Sequence, residues 1–250
     1  MFTSLGTYKA CGLFNMSHII ASFICIALAL IMVYLTKDAE KKELKIHYNI
    51  VACIISVMLV ISIVWDLFQG QWQIENIIPI SISLLFVLAL WLMNSKKACL
   101  NKIAKVFVAY VGVAFGLLLL IVPVPSFTNY PLFHFKSMFA LFTYTSMFCL
   151  GLMHFATKEV EINSKNLKLA TFLIFDVIVD CLILNTLLNA NFLFLFSPDG
   201  MNIEWLNNVY IFNNNIYSLL MFGFYFIPVL AVYLVYKLAD ILIKKYNSEK

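Results

Sequence analysis

The chain has 250 residues, 63% of them hydrophobic and only 12% charged, with mean hydropathy +0.92 and formal net charge +4. Ordinary soluble domains carry roughly 25% charged residues, so this composition cannot clothe a water-facing surface, and an integral membrane protein is expected. A nucleic-acid partner is excluded as well, because the positive balance is not gathered on a basic face of a folded domain.

Seven segments are long and apolar enough to cross about 30 Å of hydrocarbon as helices. They cover 17–36, 48–68, 77–94, 103–123, 137–156, 167–190 and 213–237. Short connections join them, so one all-α transmembrane domain over 1–250 is expected.

The first span opens with Ser17 and His18. The preceding MFTSLG has neither a basic region nor a cleavage motif, and reads as the approach to a retained span rather than a removed signal peptide. The second span ends at Trp65 and Asp66, and the third, after Glu75, begins with Pro79, Ser81 and Ser83. Gly112 and Gly116 form a GxxxG in the fourth, which predicts close internal helix packing, with homodimerisation as the second reading. His134, Lys136 and Ser137 stand where the fifth begins.

The sixth span holds the most polar groups. Asp176 and Asp180 are one turn apart on one face, while Cys181, Asn185 and Asn189 form a second row on roughly the opposite face. Entering near Leu167, the chain carries the aspartates about 13 and 20 Å into the membrane. Intramembrane carboxylates are costly unless neutralised, paired or hydrated, and no lysine lies at that depth. Two readings follow: protonated aspartates bonding neighbouring helices, or a site for a cation, proton or polar headgroup. A helix polar on two faces is expected to be enclosed by the bundle. Asn213, Asn214 and Asn215 open the seventh span.

Orientation follows from the lysines, which supply all seventeen basic residues. Fifteen fall in the odd-numbered loops and at the C-terminus, leaving Lys9 and Lys136 for the other side. By the positive-inside rule the N-terminus is outside and the C-terminus cytoplasmic. The all-lysine usage, with many Ile and Asn, points to an AT-rich genome and hence a bacterial cytoplasmic membrane. Of six cysteines only Cys11 faces outside, so no disulfide is expected. No Cys/His spacing suits a metal, and no cofactor is expected.

The polar residues concentrate in the outer halves of the spans, while the cytoplasmic halves are nearly featureless apart from His154. This predicts an outward-opening polar chamber lined by His18, Asp66, Ser81, Ser83, Asn185 and Asn189, with Asn191, Asp176 and Asp180 as further candidates for ligand binding.

LNTLLNANFLFL, with Asn185, Asn189, Asn191 and Phe192, resembles the signature near the end of the sixth span in the YwaF-like bacterial integral membrane proteins. FNMSHII resembles that family's first span, placing its His at His18. IIPISIS resembles its Leu-Pro-Leu-His-x-Cys run, with Ser81 and Ser83 in place of His and Cys. YPLFHFKSMFALF resembles the entry to its fifth span, whose closing His falls near Phe142 here. The family is distantly similar to an animal membrane acyltransferase thought to use a Cys and a His on phospholipid acyl chains. The resemblance therefore implies a lipid-enzyme scaffold without its Cys/His pair.

Three functions are consistent with these residues. The first is binding of a membrane lipid or amphiphile, as an accessory subunit beside another membrane protein. The second is a proton- or cation-coupled carrier using Asp176 and Asp180. The third is an acyltransferase or hydrolase using Ser83 and His18, since acyl transfer needs a nucleophile with a base in reach.

Overall fold

The computed structural model describes residues 9–71, 74–78, 80–123, 125–201 and 203–248, and every regular element in them is helical. In chain order these are α1 (Met16–Thr36), α2 (Lys41–Phe68), α3 (Ile74–Ile77), α4 (Ile82–Leu92) and α5 (Ala98–Ile121). They continue with α6 (Ser126–Asn129), α7 (Phe135–Ala156), α8 (Ser164–Leu188), a 3-10 turn at Phe192–Phe194, α9 (Glu204–Phe212) and α10 (Asn214–Ser248).

Among the described residues five stretches are long and apolar enough to cross a membrane: Met16–Thr36, Lys41–Phe68, Ala98–Asn129, Phe135–Ala156 and Asn214–Leu242. The other two expected segments differ. α8 has the length, at 25 residues, but carries Asp176 and Asp180 in its middle. The segment 77–94 is not one helix. It divides into α3 and the 11-residue α4, which at 1.5 Å per residue spans only about 16 Å. Ser81 starts α4 afresh from an extended conformation (φ −142°, ψ 161°), its hydroxyl accepting from Leu84 N–H at 3.2 Å. In the sequence, proline at 79 removes a donor and disfavours helix in the residue before it; Pro79 itself lies outside the described residues.

Local chemistry sets the other helix starts. Asn15 accepts from His18 N–H at 2.8 Å, Glu40 and Glu43 form a capping box, and Asn163 accepts from Asn166 N–H at 2.9 Å. Such caps contribute about 1 kcal/mol each.

α5 is the axis of the bundle. Its residues from Val106 to Gly116 are buried all round, as suits a helix apolar on every face. Its tightest neighbour is α7, and glycines make that approach possible. A Cβ on Gly112 would stand 2.7 Å from the Met147 carbonyl oxygen, and one on Gly151 2.6 Å from Val113 N. A Cβ on Gly116 would run into the Phe148 backbone. The GxxxG is therefore an internal packing seam, the arrangement that dispersion favours where lipid removes the hydrophobic drive between helices. Around this axis α1, α2 and α10 expose Phe23, Leu28, Val57, Val60, Leu219 and Ile227, an apolar exterior in keeping with a membrane protein.

α8 packs on α5 and α10 through one face, burying Ala170, Ile174, Ile178, Cys181 and Asn185. Asp176 and Asp180 lie on the other face and are exposed. The expected enclosure of α8 is not met: its two polar rows do diverge, but only the asparagine row has neighbours.

Candidate functional site

The two ends of the bundle handle polar groups differently. At the end where α1 and α7 begin, the residues singled out in the sequence are present and largely engaged. His18 is buried between helices; its Nδ1 accepts from Phe14 N–H at 2.9 Å and its Nε2 faces the Leu120 carbonyl at 3.1 Å. Since Nδ1 is an acceptor, Nε2 carries the proton and donates it. Ser22 donates to the same carbonyl at 2.7 Å. Asp66 is buried and paired with Lys136, whose ammonium also donates to Ser62 Oγ at 2.6 Å. Tyr130 stacks on His134 with ring centroids 4.3 Å apart, and burial pushes its phenol up from its ordinary value.

Ser81 is spent on capping α4, and Ser83 Oγ approaches Met147 Sδ at 4.0 Å. No hydrogen bond joins Ser83 to His18. Asn185 brackets the backbone of Phe192, accepting from its N–H at 2.6 Å and donating to its carbonyl at 3.1 Å. Asn189 terminates α8 in the left-handed conformation (φ 51°, ψ 46°), a position asparagine tolerates. Asn191 ties its side chain to Ser197 and its backbone N–H to Glu75 at 2.7 Å. The structure thus joins Asp66 to Lys136 and Asn185 to the 3-10 turn, and leaves Asp176 and Asp180 apart from both.

The opposite, lysine-rich end is built otherwise. A cavity of about 470 Å³ opens between the first turns of α5, the α7–α8 connection and the first turn of α8. Four lysines (Lys102, Lys105, Lys158, Lys165) line it against two glutamates, Glu159 and Glu161, with Asn101, Asn163 and Asn166 between them.

Its walls are fixed by short-range bonds. Val160 N–H returns to the His154 carbonyl at 3.1 Å, and Lys158 turns the chain at φ 58°. Asn166 donates to the Glu161 carbonyl at 2.8 Å, and Tyr110 OH to the Asn163 carbonyl at 3.2 Å.

Under the cavity Glu159, its side chain only 6% exposed, meets Lys105 at 3.3 Å and His154 Nδ1 at 2.9 Å. The imidazole contact is close but off the axis that a directed hydrogen bond needs, and His154 Nε2 and Tyr48 OH are buried without hydrogen-bond partners. The two rings stack at 4.8 Å. The His154 ring and Lys105 hold the Glu159 carboxyl below its ordinary value, against burial, which acts the other way.

Glu159 therefore stays anionic and offsets Lys105. Lys102, Lys158 and Lys165 make no ion pair among the described residues. Three uncommitted ammonium groups around one concave site suit a multi-oxygen anion, each lysine acting as a point charge. The amides of Asn101, Asn163 and Asn166 already donate to the Met93 carbonyl, the Glu161 carboxylate and the Glu161 carbonyl. Among the described residues no group of three His, Cys, Asp or Glu side chains converges to hold a metal.

In the sequence these lysines read as topological markers, and this end as nearly featureless apart from His154. The available signal was KEVEINSKN, a charged and amide-rich run immediately after a histidine buried in an apolar helix. Comparison with known protein families, characterised proteins and solved structures returned no match to this chain.

Proposed function

We propose that the chain is a seven-span protein of the bacterial cytoplasmic membrane, N-terminus outside and C-terminus inside, that binds an anionic amphiphile at its cytoplasmic end. On this reading α4 and α8 complete the bundle beside the five long apolar stretches, and the lysine-rich end faces the cytoplasm. The observation that carries it is the cavity in which Lys102, Lys158 and Lys165 stay uncommitted while Glu159 neutralises Lys105. A phospholipid headgroup at the bilayer surface meets such a site directly, and each lysine near an anionic surface contributes about 1 kcal/mol. Lipid handling is also the activity that the resemblance to YwaF-like proteins implies, as a binding protein on an acyltransferase-like scaffold. Acyl transfer through Ser83 has no support from His18, whose acceptor nitrogen is already occupied.

The test uses protein in neutral detergent, titrated with short-chain fluorescent phosphatidylglycerol or phosphatidylcholine. The expected result is binding of the anionic lipid about tenfold tighter or more, weakening as salt rises. Competition by inorganic phosphate would assign recognition to the phosphate alone. Equal, salt-independent binding of the two lipids would overturn the reading.

A further inference from the structure

Further along α8 from the cavity, which its first turn lines through Lys165 and Asn166, the outward face of the helix is unpartnered. Phe172, Asp176, Asp180, Ile183 and Leu187 recur at spacings of four, four, three and four along it, and all are exposed. Phe172, Ile183 and Leu187 are 61%, 53% and 75% exposed. The packed side of the helix is already occupied by α5 and α10. Neither aspartate has a hydrogen bond or ion pair among the described residues. Asp176 lies about 18 Å along α8 from Ser164, and Asp180 about 12 Å from Leu188. Both are central if α8 crosses the bilayer, and a carboxylate facing hydrocarbon there costs several kcal/mol.

We propose that this face docks a transmembrane helix of another membrane protein, one that carries a lysine or arginine near its centre. The apolar residues on either side of the aspartates supply the packing surface and the carboxylates the charge complement. Arginine suits the pair best, since its fork can reach both groups. A second copy of this chain cannot supply the cation. Lys136 is engaged by Asp66. Lys237 lies about 35 Å along α10 from Asn214, and so beyond the middle of a membrane-crossing helix. The other lysines stand near helix ends or in connections. Of the histidines, His18 and His154 are buried within the bundle. This inference rests on α8 spanning the membrane and is independent of the lysine-rich cavity.

The full-length chain is reconstituted in phosphatidylcholine vesicles, which carry no net charge to occupy the cavity. It is joined there by a leucine-rich transmembrane peptide with lysine at its centre, or by the same peptide with leucine. Energy transfer between labels reads association. The lysine peptide is expected to bind about tenfold tighter, or roughly 1.4 kcal/mol, and Asp176→Asn/Asp180→Asn should abolish that preference. Asp176→Asn and Asp180→Asn singly should fall between. Equal association of the two peptides would overturn the proposal, as would a preference retained by the double variant. Self-association of the chain that is lost in the double variant would overturn it in favour of a second copy.

Discussion

At one end of the bundle most polar residues inside or beside apolar helices are bonded within the structure, the buried Ser137 hydroxyl being an exception; at the other, three lysines are left facing an open cavity. Asp66 has Lys136 and Ser62, His18 has Phe14 and Leu120, and Asn185 has both polar groups of the Phe192 backbone. Of the lysines around the cavity only Lys105 is ion-paired, and beneath it His154 Nε2 and Tyr48 OH have no hydrogen-bond partner among the described residues. A polar group in a low-dielectric setting must be satisfied somewhere, so its presence alone does not mark a site. What distinguishes a site is polar capacity left over after the fold has been served.

Breaking the served end should be the more damaging. Removing one partner of a buried ion pair strands the other, at a cost of about 3–5 kcal/mol. Lys136→Met or Asp66→Ala alone should lower stability by about that amount in mixed-micelle unfolding. The double variant should recover part of the loss, because no charge is then stranded. A loss in the double variant equal to the sum of the two single losses would mean the pair is not coupled.

The seam joining the two ends comes next. Gly116→Val drives new atoms into the Phe148 backbone, and overpacking of this kind costs about 1–3 kcal/mol. The same unfolding assay should register it, whereas Gly223→Val, with only the end of the Ile227 side chain nearby, should cost less.

Acid sharpens the comparison more gently. Glu159 has its folded-state value lowered from 4.5 by His154 first and Lys105 second. A lowered carboxyl stabilises the folded state above its unfolded value and loses that contribution as pH falls through the folded one. Stability should therefore decline below about pH 4.5, while affinity for an anionic ligand rises as the cavity loses a negative charge. Glu159→Gln should flatten both trends. The smallest effect belongs to Ser83→Ala, whose hydroxyl has only a long contact to Met147 Sδ; its stability change should stay within about 0.5 kcal/mol.

How much of this was legible in the sequence depended on the range of the interaction. Six of the seven apolar segments correspond to helices, because hydrophobic length is a local signal, although α2 begins at Lys41 rather than at 48 and α10 runs to Ser248 rather than to 237. The GxxxG spacing rightly placed glycines at an internal seam. The division of 77–94 was foreshadowed by proline and by a serine able to cap, though the segment's uninterrupted apolarity argued for one span. The outward aspect of Asp176 and Asp180 was not legible: periodicity defines two faces but not which one finds neighbours. The pairing of Asp66 with Lys136 joins residues seventy positions apart, and no local pattern records it. The cavity was hidden for a related reason. Its lysines come from three separate segments, and each alone reads as an ordinary inner flank.

The proposed ligand site is at the lysine-rich end, not at the end where α1 and α7 begin. This placement is tested most directly by comparing two variants in the phosphatidylglycerol titration. One is Lys102→Gln/Lys158→Gln/Lys165→Gln, which empties the cavity of uncommitted charge. The other is Ser83→Ala/Asn189→Gly, which alters the outer end without touching its buried ion pair. The account predicts that the lysine variant loses affinity about tenfold or more, with its unfolding nearly unchanged, and that the outer variant binds as the parent does. Full affinity in the lysine variant, together with loss in the outer variant, would contradict it.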